Sequence, residues 1–391
     1  MKINEVGNLF EKDIDVSSIV TDDLKSIFKS FKSKGFDIKV AGGAVRDIML
    51  GKKPKDVDLA TTATPEQMKS VLAGWRTIDT GLEHGTITVL GKQNKNEEYE
   101  ITTLRIDTNQ DGRHADTEWT TDFKLDAARR DLTYNAMFAD LDGTLHDFFG
   151  GEKDLKQGVT KSVGDPNERF QEDYLRILRM FRFSARYNHQ LDQQHMDAIA
   201  RNAKGLANIS GERFWLEMQK ILSTPNAHKA VQAMIHTGVD KMIGLNVTNF
   251  PGLKFADQGD PILTLAATIG HDNAQHLARR WKLRNEDRDR LLFITEHKPN
   301  IYTDKVMKVA IVNSKNPEWT KDRFLDVLAV QGKGSANGLR GWIIPVFPVQ
   351  GRDLLQPGEK GSKEIGQKLR TLKDRWIDSN FTLSKEELLD G

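Results

Sequence analysis

The chain is expected to be α+β: a head built on a mixed sheet up to about residue 150, then helices to the end. Three observations carry that expectation. Short alternating apolar–polar runs at 36–40, 56–60, 85–90 and 98–104 alternate with helical stretches only in the first part of the chain. From residue 167 the pattern turns helical at 167–186, 193–203, 211–222 and 229–238, with a basic helix-like stretch at 275–293 and an amphipathic one at 363–376. No fixed-period repeat joins these segments, which argues against a solenoid.

The elements follow in order. Leu24, Ile27, Phe28 and Phe31 keep the spacing of one helix face, and Gly35 stops that helix. The strand at 36–40 runs into Gly42-Gly43 and a short helix at 44–50; the loop 51–55 leads to the strand at 56–60. Thr64-Pro65-Glu66 opens the next helix, with Thr as N-cap and Pro in its first turn. The polar segment 92–96 reads as a hairpin between the strands 85–90 and 98–104. The turn-rich segment 107–114 reads as a mobile loop, and Gly143, Gly150 and Gly151 mark the end of the mixed region.

Composition narrows the class. At ~150 residues per domain, 391 residues suggest two or three domains. Eighteen Phe, seven Trp and five Tyr supply real cores, so the chain is not disordered. Absence of cysteine removes disulfides, thiolate metal sites and Cys nucleophiles. No apolar run reaches the ~18 residues that span a bilayer. Glu5, Glu11, Asp13 and Asp15 in the first segment fit neither a signal nor a transit peptide, so a cytoplasmic, membrane-free protein is expected. Its 57 basic and 56 acidic side chains leave a net charge of +1, so any nucleic-acid binding must come from local patches. Oligomeric state is not legible.

Asp56 and Asp58 carry the first chemical signal. Two apart on an expected strand, they share one face about 6.5–7 Å apart, which suits a pair of hard divalent ions ~3.5–4 Å apart, Mg²⁺ among them. A lone D-x-D is more often a solvated strand end. Upstream, Gly42-Gly43 lets backbone N–H groups approach a phosphate at a helix start, and Arg46 projects from the same turn. Glycine turn, Arg-Asp helix and D-x-D strand together read as a nucleotidyl-transfer site, with Glu100 as a third carboxylate or a solvated residue. No G-x-x-x-x-G-K-[S/T] is present, so P-loop chemistry is not expected.

A second signal lies in 170–186, read as one helix. Phe170, Tyr174, Ile177, Leu178, Phe181 and Ala185 form a core stripe, while Asp173, Arg176, Arg179 and Arg182 recur at steps of three on the other side. A solvated face with a Glu172–Arg176 ion pair is one reading. The other is base recognition. Cytosine and adenine each present an exocyclic amine beside a ring-nitrogen acceptor, which Asp173 and Arg176 match; guanine and uracil set acceptor against acceptor and donor against donor.

Four ordered stretches then carry a resemblance: Val40-Ala-Gly-Gly-Ala-Val-Arg-Asp47, Asp56-Val-Asp-Leu-Ala-Thr-Thr-Ala-Thr-Pro65, Arg129-Arg-Asp-Leu-Thr-Tyr-Asn-Ala136 and Glu172-Asp-Tyr-Leu-Arg-Ile-Leu-Arg179. With Glu212-Arg-Phe-Trp-Leu-Glu217 and the C-terminal Phe347-Pro-Val-Gln-Gly-Arg-Asp353, they resemble the successive motifs of the class II tRNA nucleotidyltransferases, the CCA-adding enzymes. The resemblance implies a polymerase β-like nucleotidyltransferase head at 1–150, a helical neck at 151–235, a body at 236–340 and a tail at 341–391, in a seahorse shape. It implies untemplated addition of C, C and A to tRNA from CTP and ATP. Asp56, Asp58 and Glu100 would hold Mg²⁺; Gly43 and Arg46 would contact the triphosphate; Arg130 and Asp131, helped by Arg129, would hold sugar and phosphates. Asp173 and Arg176 would serve as the protein template, with Arg179 and Arg182 supporting them or contacting phosphate, and the loop 107–114 would close or switch.

Transfer RNA contacts are expected from Arg279, Arg280, Lys282, Arg284, Arg288 and Arg290, and from Lys360, Lys363, Lys368, Arg370 and Lys373 in the tail. Four other readings share parts of this pattern. They are a poly(A) polymerase, an enzyme adding only CC or only A, a metal phosphohydrolase built on His271-Asp272, and a non-catalytic RNA-binding protein.

Overall fold

A computed structural model describes residues 11–81, 85–108, 116–333, 338–356 and 361–390. The chain divides into two compact units, Met1–Leu245 with Ala256–Pro261, and Asn246–Phe255 with Ile262–Gly391.

The first unit begins as a sheet wrapped by short helices. Its strands are β1 (Glu11–Asp13), β2 (Ile38–Ala41), β3 (Val57–Thr61), β4 (Arg76–Gly81), β5 (Thr86–Leu90), β6 (Glu98–Thr103), β7 (Arg105–Thr108), β8 (Asp116–Trp119), β9 (Phe138–Ala139) and β10 (Thr144–His146). Eight of them form one sheet in the order β1-β10-β9-β2-β3-β6-β5-β4, while β7 and β8 pair by themselves. Only β3 and β6 run parallel, so the sheet is mixed as expected. Their register sets Asp58 opposite Glu100, which puts both side chains on one face of the sheet.

Around the sheet lie α1 (Asp22–Ser33), α2 (Gly43–Met49), α3 (Pro65–Val71) and α4 (Phe123–Ala128). Thr21 caps α1 by accepting the Leu24 N–H at 3.1 Å, and the helix buries Leu24, Ile27, Phe28 and Phe31. Thr64 and Gln67 form a capping box on α3. Then come α5 (Gly151–Gln157), α6 (Pro166–Glu172), α7 (Leu175–Tyr187), α8 (Gln193–Asn202), α9 (Gly211–Leu222), α10 (Ala227–His236) and α11 (Val239–Ile243).

The remaining helices are α12 (Pro261–Thr268), α13 (His271–Arg280), α14 (Asn285–His297), α15 (Asp304–Asn313), α16 (Pro317–Val330), α17 (Lys363–Asp378) and α18 (Lys385–Leu389). One core of the second unit gathers Met307, Ile311, Phe324, Leu328 and Leu339; another gathers Val349, Trp376, Ile377 and Leu388. No helix among the described residues is long and apolar enough to cross a membrane.

Three boundaries differ from the sequence expectation. The segment 170–186 is two helices, because Asp173 adopts extended backbone (φ −152°, ψ 106°) and accepts the Leu175 N–H at 3.1 Å, starting α7 anew. Tyr174 lies in a notch over Gly205, where a Cβ would come within 2.0 Å of its ring. Side-chain periodicity continues across such a break and hides it. The basic stretch 275–293 likewise spans two helices, separated at buried Trp281 and at Lys282, whose φ is +50°. Finally, β3 starts at Val57, leaving Asp56 in the bend before it. Of the expected mobile loop, 107 and 108 lie in β7, and 109–115 are outside the described residues.

Candidate active site

A cleft of about 580 Å³ opens over the sheet and is closed on its far wall by α7. Its floor carries Asp58 and Glu100. One wall carries Gly42, Gly43, Arg46, Arg129, Arg130 and Asp131, and the facing wall carries Asp173, Arg176, Arg179 and Arg213.

Asp58 is exposed to the cleft, yet the surrounding walls strip part of its hydration. That loss and the neighbouring Glu100 charge push its carboxyl above the usual range, with Asp56 adding to them and Arg130 and Arg46 pulling the other way. Asp56, Asp58 and Glu100 make no ion pair or side-chain hydrogen bond among the described residues. Three unpartnered carboxylates, all oxygen donors, are the chemistry a hard divalent ion takes. They are not preassembled as a ligand cluster among the described residues. Asp56 lines a neighbouring hollow with Lys53, Lys55 and Tyr99 rather than the main cleft.

The glycine turn is needed for a steric reason that the motif alone does not reveal. Gly42, rather than Gly43, has φ +60°, and a Cβ there would lie 2.7 Å from Arg130 Nη1 and 3.1 Å from the Asn135 carbonyl oxygen. Gly43 would meet only Arg46, at 3.5 Å. Arg46 reaches the cleft wall but is buried: it pairs with Asp47 at 2.9 Å, donates to Asn135 Oδ1, and lies over the rings of Tyr187 and Phe183. These contacts join α2 to α7 and hold the Arg46 guanidinium at the cleft wall.

Arg129 and Arg130 share one buried acid that the sequence reading passed over. Asp126 accepts Arg129 Nε at 2.8 Å and Arg130 Nε and Nη2 at 3.1 and 3.0 Å. Burial alone would raise its carboxyl; the two guanidiniums overcome that and hold it low. Arg130 also donates to the Asn135 carbonyl at 3.2 Å. Asp131 accepts from Arg179 Nε at 2.7 Å, from the Leu132 N–H at 2.9 Å and from Asn135 Nδ2 at 3.1 Å. Its burial too is outweighed, chiefly by Arg179, and its carboxyl stays below the normal range. Asp131 thus ties the head to α7.

On the facing wall, Arg213 of α9 pairs with Asp173 at 2.8 Å, and Arg176 pairs with Glu172. Asp173 and Arg176 therefore share the cleft without pairing to each other. Arg182 is absent from the cleft lining and instead meets buried Glu217 at 3.1 Å. Asn135, Asp126 and Gly42 sit within or beside the quoted motifs. Only Arg213 carried a separate signal, its place in Glu212-Arg-Phe-Trp-Leu-Glu217.

In the second unit, Arg290 is held by Asp326 at 2.9 Å, while Arg284 and Arg288 pair with Asp287 and Asp289. In the tail, Lys360 is outside the described residues. His271 hydrogen-bonds Thr295 and Gln275, and no group of three possible metal ligands surrounds it among the described residues.

A mixed sheet presenting paired acids to a cleft, with a glycine turn and an arginine wall beside them, defines a nucleotidyltransferase head. Comparison agrees: residues 38–161 match the profile of the Poly A polymerase head domain, and 188–243 that of the Probable RNA and SrmB- binding site of polymerase A. The chain is 41% identical to the CCA tRNA nucleotidyltransferase 1, mitochondrial, of Danio rerio, over 95% of this chain and 90% of that one. It is 30% identical to the CCA-adding enzyme of Lactobacillus helveticus over 93% and 94% of the two chains. The Bacillus stearothermophilus CCA-adding enzyme, solved in complex with CTP, superposes with a TM-score of 0.71 at 26% identity, covering 92% and 93%. The chain belongs to the CCA-adding enzymes, the tRNA nucleotidyltransferases.

Proposed function

We propose that this chain adds C, C and A in turn to the 3′ end of tRNA, using CTP and ATP. In each cycle the 3′ oxygen of the RNA forms a bond to the α-phosphorus of the incoming nucleotide, the bond to the β,γ-phosphates breaks, and pyrophosphate leaves. One observation carries this reading: Asp58 and Glu100, side by side across β3 and β6, floor the same cleft that holds Asp173 and Arg176.

In this reading Asp58 and Glu100, joined by Asp56, hold divalent ions, with Mg²⁺ the best match to an all-oxygen set. Bound there, such ions acidify the 3′-hydroxyl and neutralise the triphosphate. The other residues bind and orient. Gly42 keeps the backbone clear of Arg130, which, with Arg129, faces the sugar and phosphates. Both arginines are held by Asp126 beforehand, so little ordering remains to be done on binding. Asp131 fixes Arg179 and the α7 side of the cleft. Asp173 accepts from the exocyclic amine of cytosine or adenine, and Arg176 donates to the ring nitrogen. Guanine and uracil would leave both groups facing like partners, a mismatch that in the best cases discriminates by ~10⁴–10⁵. The finer division into head, neck, body and tail at 150, 235 and 340 belongs to the same proposal.

The test uses tRNA transcripts ending at the discriminator base, after C and after CC, each with Mg²⁺ and CTP, ATP or both. Two Cs, one A and then a stop are expected. Long A-tails would reassign the chain to poly(A) polymerases, and activity at one step alone would make it a CC- or A-adding enzyme.

A further inference from the structure

Arg169 was assigned no role by its motif context, yet it occupies the joint between the two halves of the cleft. It lies on α6 and is buried, 9% exposed. Its Nη2 donates to the carbonyl oxygens of Arg129, at 2.6 Å, and Arg130, at 3.1 Å. Those carbonyls close the C-terminal end of α4, where unsatisfied acceptors favour a cation. Its Nη1 pairs with Glu172 at 2.6 Å, and the same Glu172 oxygen also holds Arg176 Nη1. Arg176 Nη1 returns to the Arg169 carbonyl at 3.1 Å. A continuous chain of charged hydrogen bonds therefore runs from Arg176, through Glu172 and Arg169, to the backbone of Arg129 and Arg130.

We propose that Arg169 is a positioning residue that couples base reading at Arg176 to the sugar-phosphate grip of Arg129 and Arg130, with Glu172 as the hinge between them. The proposal rests on the nucleotide assignments given above and deepens them. A ring-nitrogen acceptor that engages Arg176 changes how Glu172 divides itself between two guanidiniums. Arg169 carries that change to the segment whose side chains face the reacting phosphate. Guanidinium geometry suits this relay, because Nη2 meets the two carbonyls while Nη1, in the same rigid plane, meets the carboxylate. An ammonium at the same place holds only part of the set. The α-phosphate must sit within a narrow range of the attacking oxygen, and a misplacement of about 1 Å costs on the order of 10²-fold in rate.

The experiment measures single-nucleotide addition of CTP and of UTP to tRNA ending at the discriminator base, with melting temperature recorded for every variant. Arg169→Gln, and to a lesser degree Arg169→Lys, is expected to lower kcat for CTP by about 10²-fold while KM for CTP moves much less. Both are expected to lower the CTP/UTP selectivity. Glu172→Gln, isosteric and partly exposed, keeps the Arg169–carbonyl bonds and is expected to lose selectivity with a smaller fall in kcat. If the relay runs through Glu172, adding Arg169→Gln to Glu172→Gln costs no further selectivity. Additive losses of selectivity, or a folded Glu172→Gln with wild-type selectivity, would overturn the coupling. So would a kcat loss that tracks the melting temperature alone. Failure of the underlying assignment shows separately: Arg176→Ala with unchanged selectivity would remove base reading itself, and the relay with it.

Discussion

Replacing Glu217 with Leu tests whether Arg182 belongs to the fold or to the nucleotide. The Arg182 and Glu217 side chains are 11% and 6% exposed and meet at 3.1 Å. Lys220, more than half exposed at 3.8 Å, adds little. Removing the acid leaves the guanidinium buried without an anion, which costs about 3–5 kcal/mol. The Phe183 ring, 4.3 Å from the Arg182 guanidinium, survives the substitution and holds the loss near the lower end, about 3 kcal/mol. For a cooperative unit of roughly 250 residues, that lowers the melting temperature by about 6–12 °C. Arg182→Met alone strands Glu217, whose second oxygen already lacks a partner, and is expected to cost as much. The double variant Arg182→Met/Glu217→Leu replaces the pair with apolar volume and should recover most of the loss. Scanning fluorimetry reads stability, and CTP addition to tRNA ending at the discriminator base reads KM within the same preparations. The reasoning requires KM for CTP to stay within about twofold of wild type. An Arg182→Met that melts with the wild type while its KM for CTP rises tenfold or more would refute it and return Arg182 to the nucleotide.

Other outcomes are equally open to measurement. Asp58→Asn is expected to abolish nucleotide addition while tRNA binding persists in a gel-shift assay. Because the Asp58 carboxyl is held above its unfolded value, its ionised form opposes folding at neutral pH. The metal-free variant should therefore melt no lower than the metal-free wild type, and Mg²⁺ should raise the melting temperature of the wild type alone. Gly42→Ala forces a Cβ onto Arg130 at φ +60°, at a cost of about 1–3 kcal/mol, and should lower kcat/KM for CTP and ATP alike; unchanged kinetics would deny the close approach its importance. Asp140 lies between Lys39 at 2.8 Å and His146 at 2.7 Å. Burial opposes them, but they bring its carboxyl from 3.8 to about 2. A depressed carboxyl stabilises above its unfolded value and loses that contribution as pH falls through the folded one. Asp140→Asn should thus cost about 2 kcal/mol at pH 7, with the difference from wild type closing between pH 4 and 2 in urea titrations.

Legibility varied with the range of the interaction. The helix of Leu24, Ile27, Phe28 and Phe31, the Thr64 cap and the strands around 38, 58, 87 and 100 were readable because each is announced by neighbours within one or two turns of chain. The break at Asp173 was not, since the apolar spacing runs on across it, and the close approach of Tyr174 to Gly205, thirty-one positions away, leaves no local trace. Nor was the β1-β10-β9 side of the sheet, where two- and three-residue strands carry no period to detect. The partners of Arg46 and Arg182 were hidden for a similar reason: sequence shows a charge, and only packing shows that Asp47 and Asn135 hold the one and Glu217 the other.

By itself the sequence determined the chemical inventory. Two carboxylates two apart, a glycine pair, an Arg-Arg-Asp and a Glu-Asp-x-x-Arg are choices of residue type, and chemistry follows from type. It also determined the fold class, since local periodicity distinguishes strand from helix. Tertiary structure alone decided which of those groups meet. The β3–β6 register brings Glu100 beside Asp58, α7 carries Arg179 to Asp131, and α9 supplies Arg213 to Asp173. Those partners lie between 40 and 48 residues apart in the chain. No local pattern encodes such a pairing, because its energy comes from the geometry of burial, which is set only once distant elements have packed.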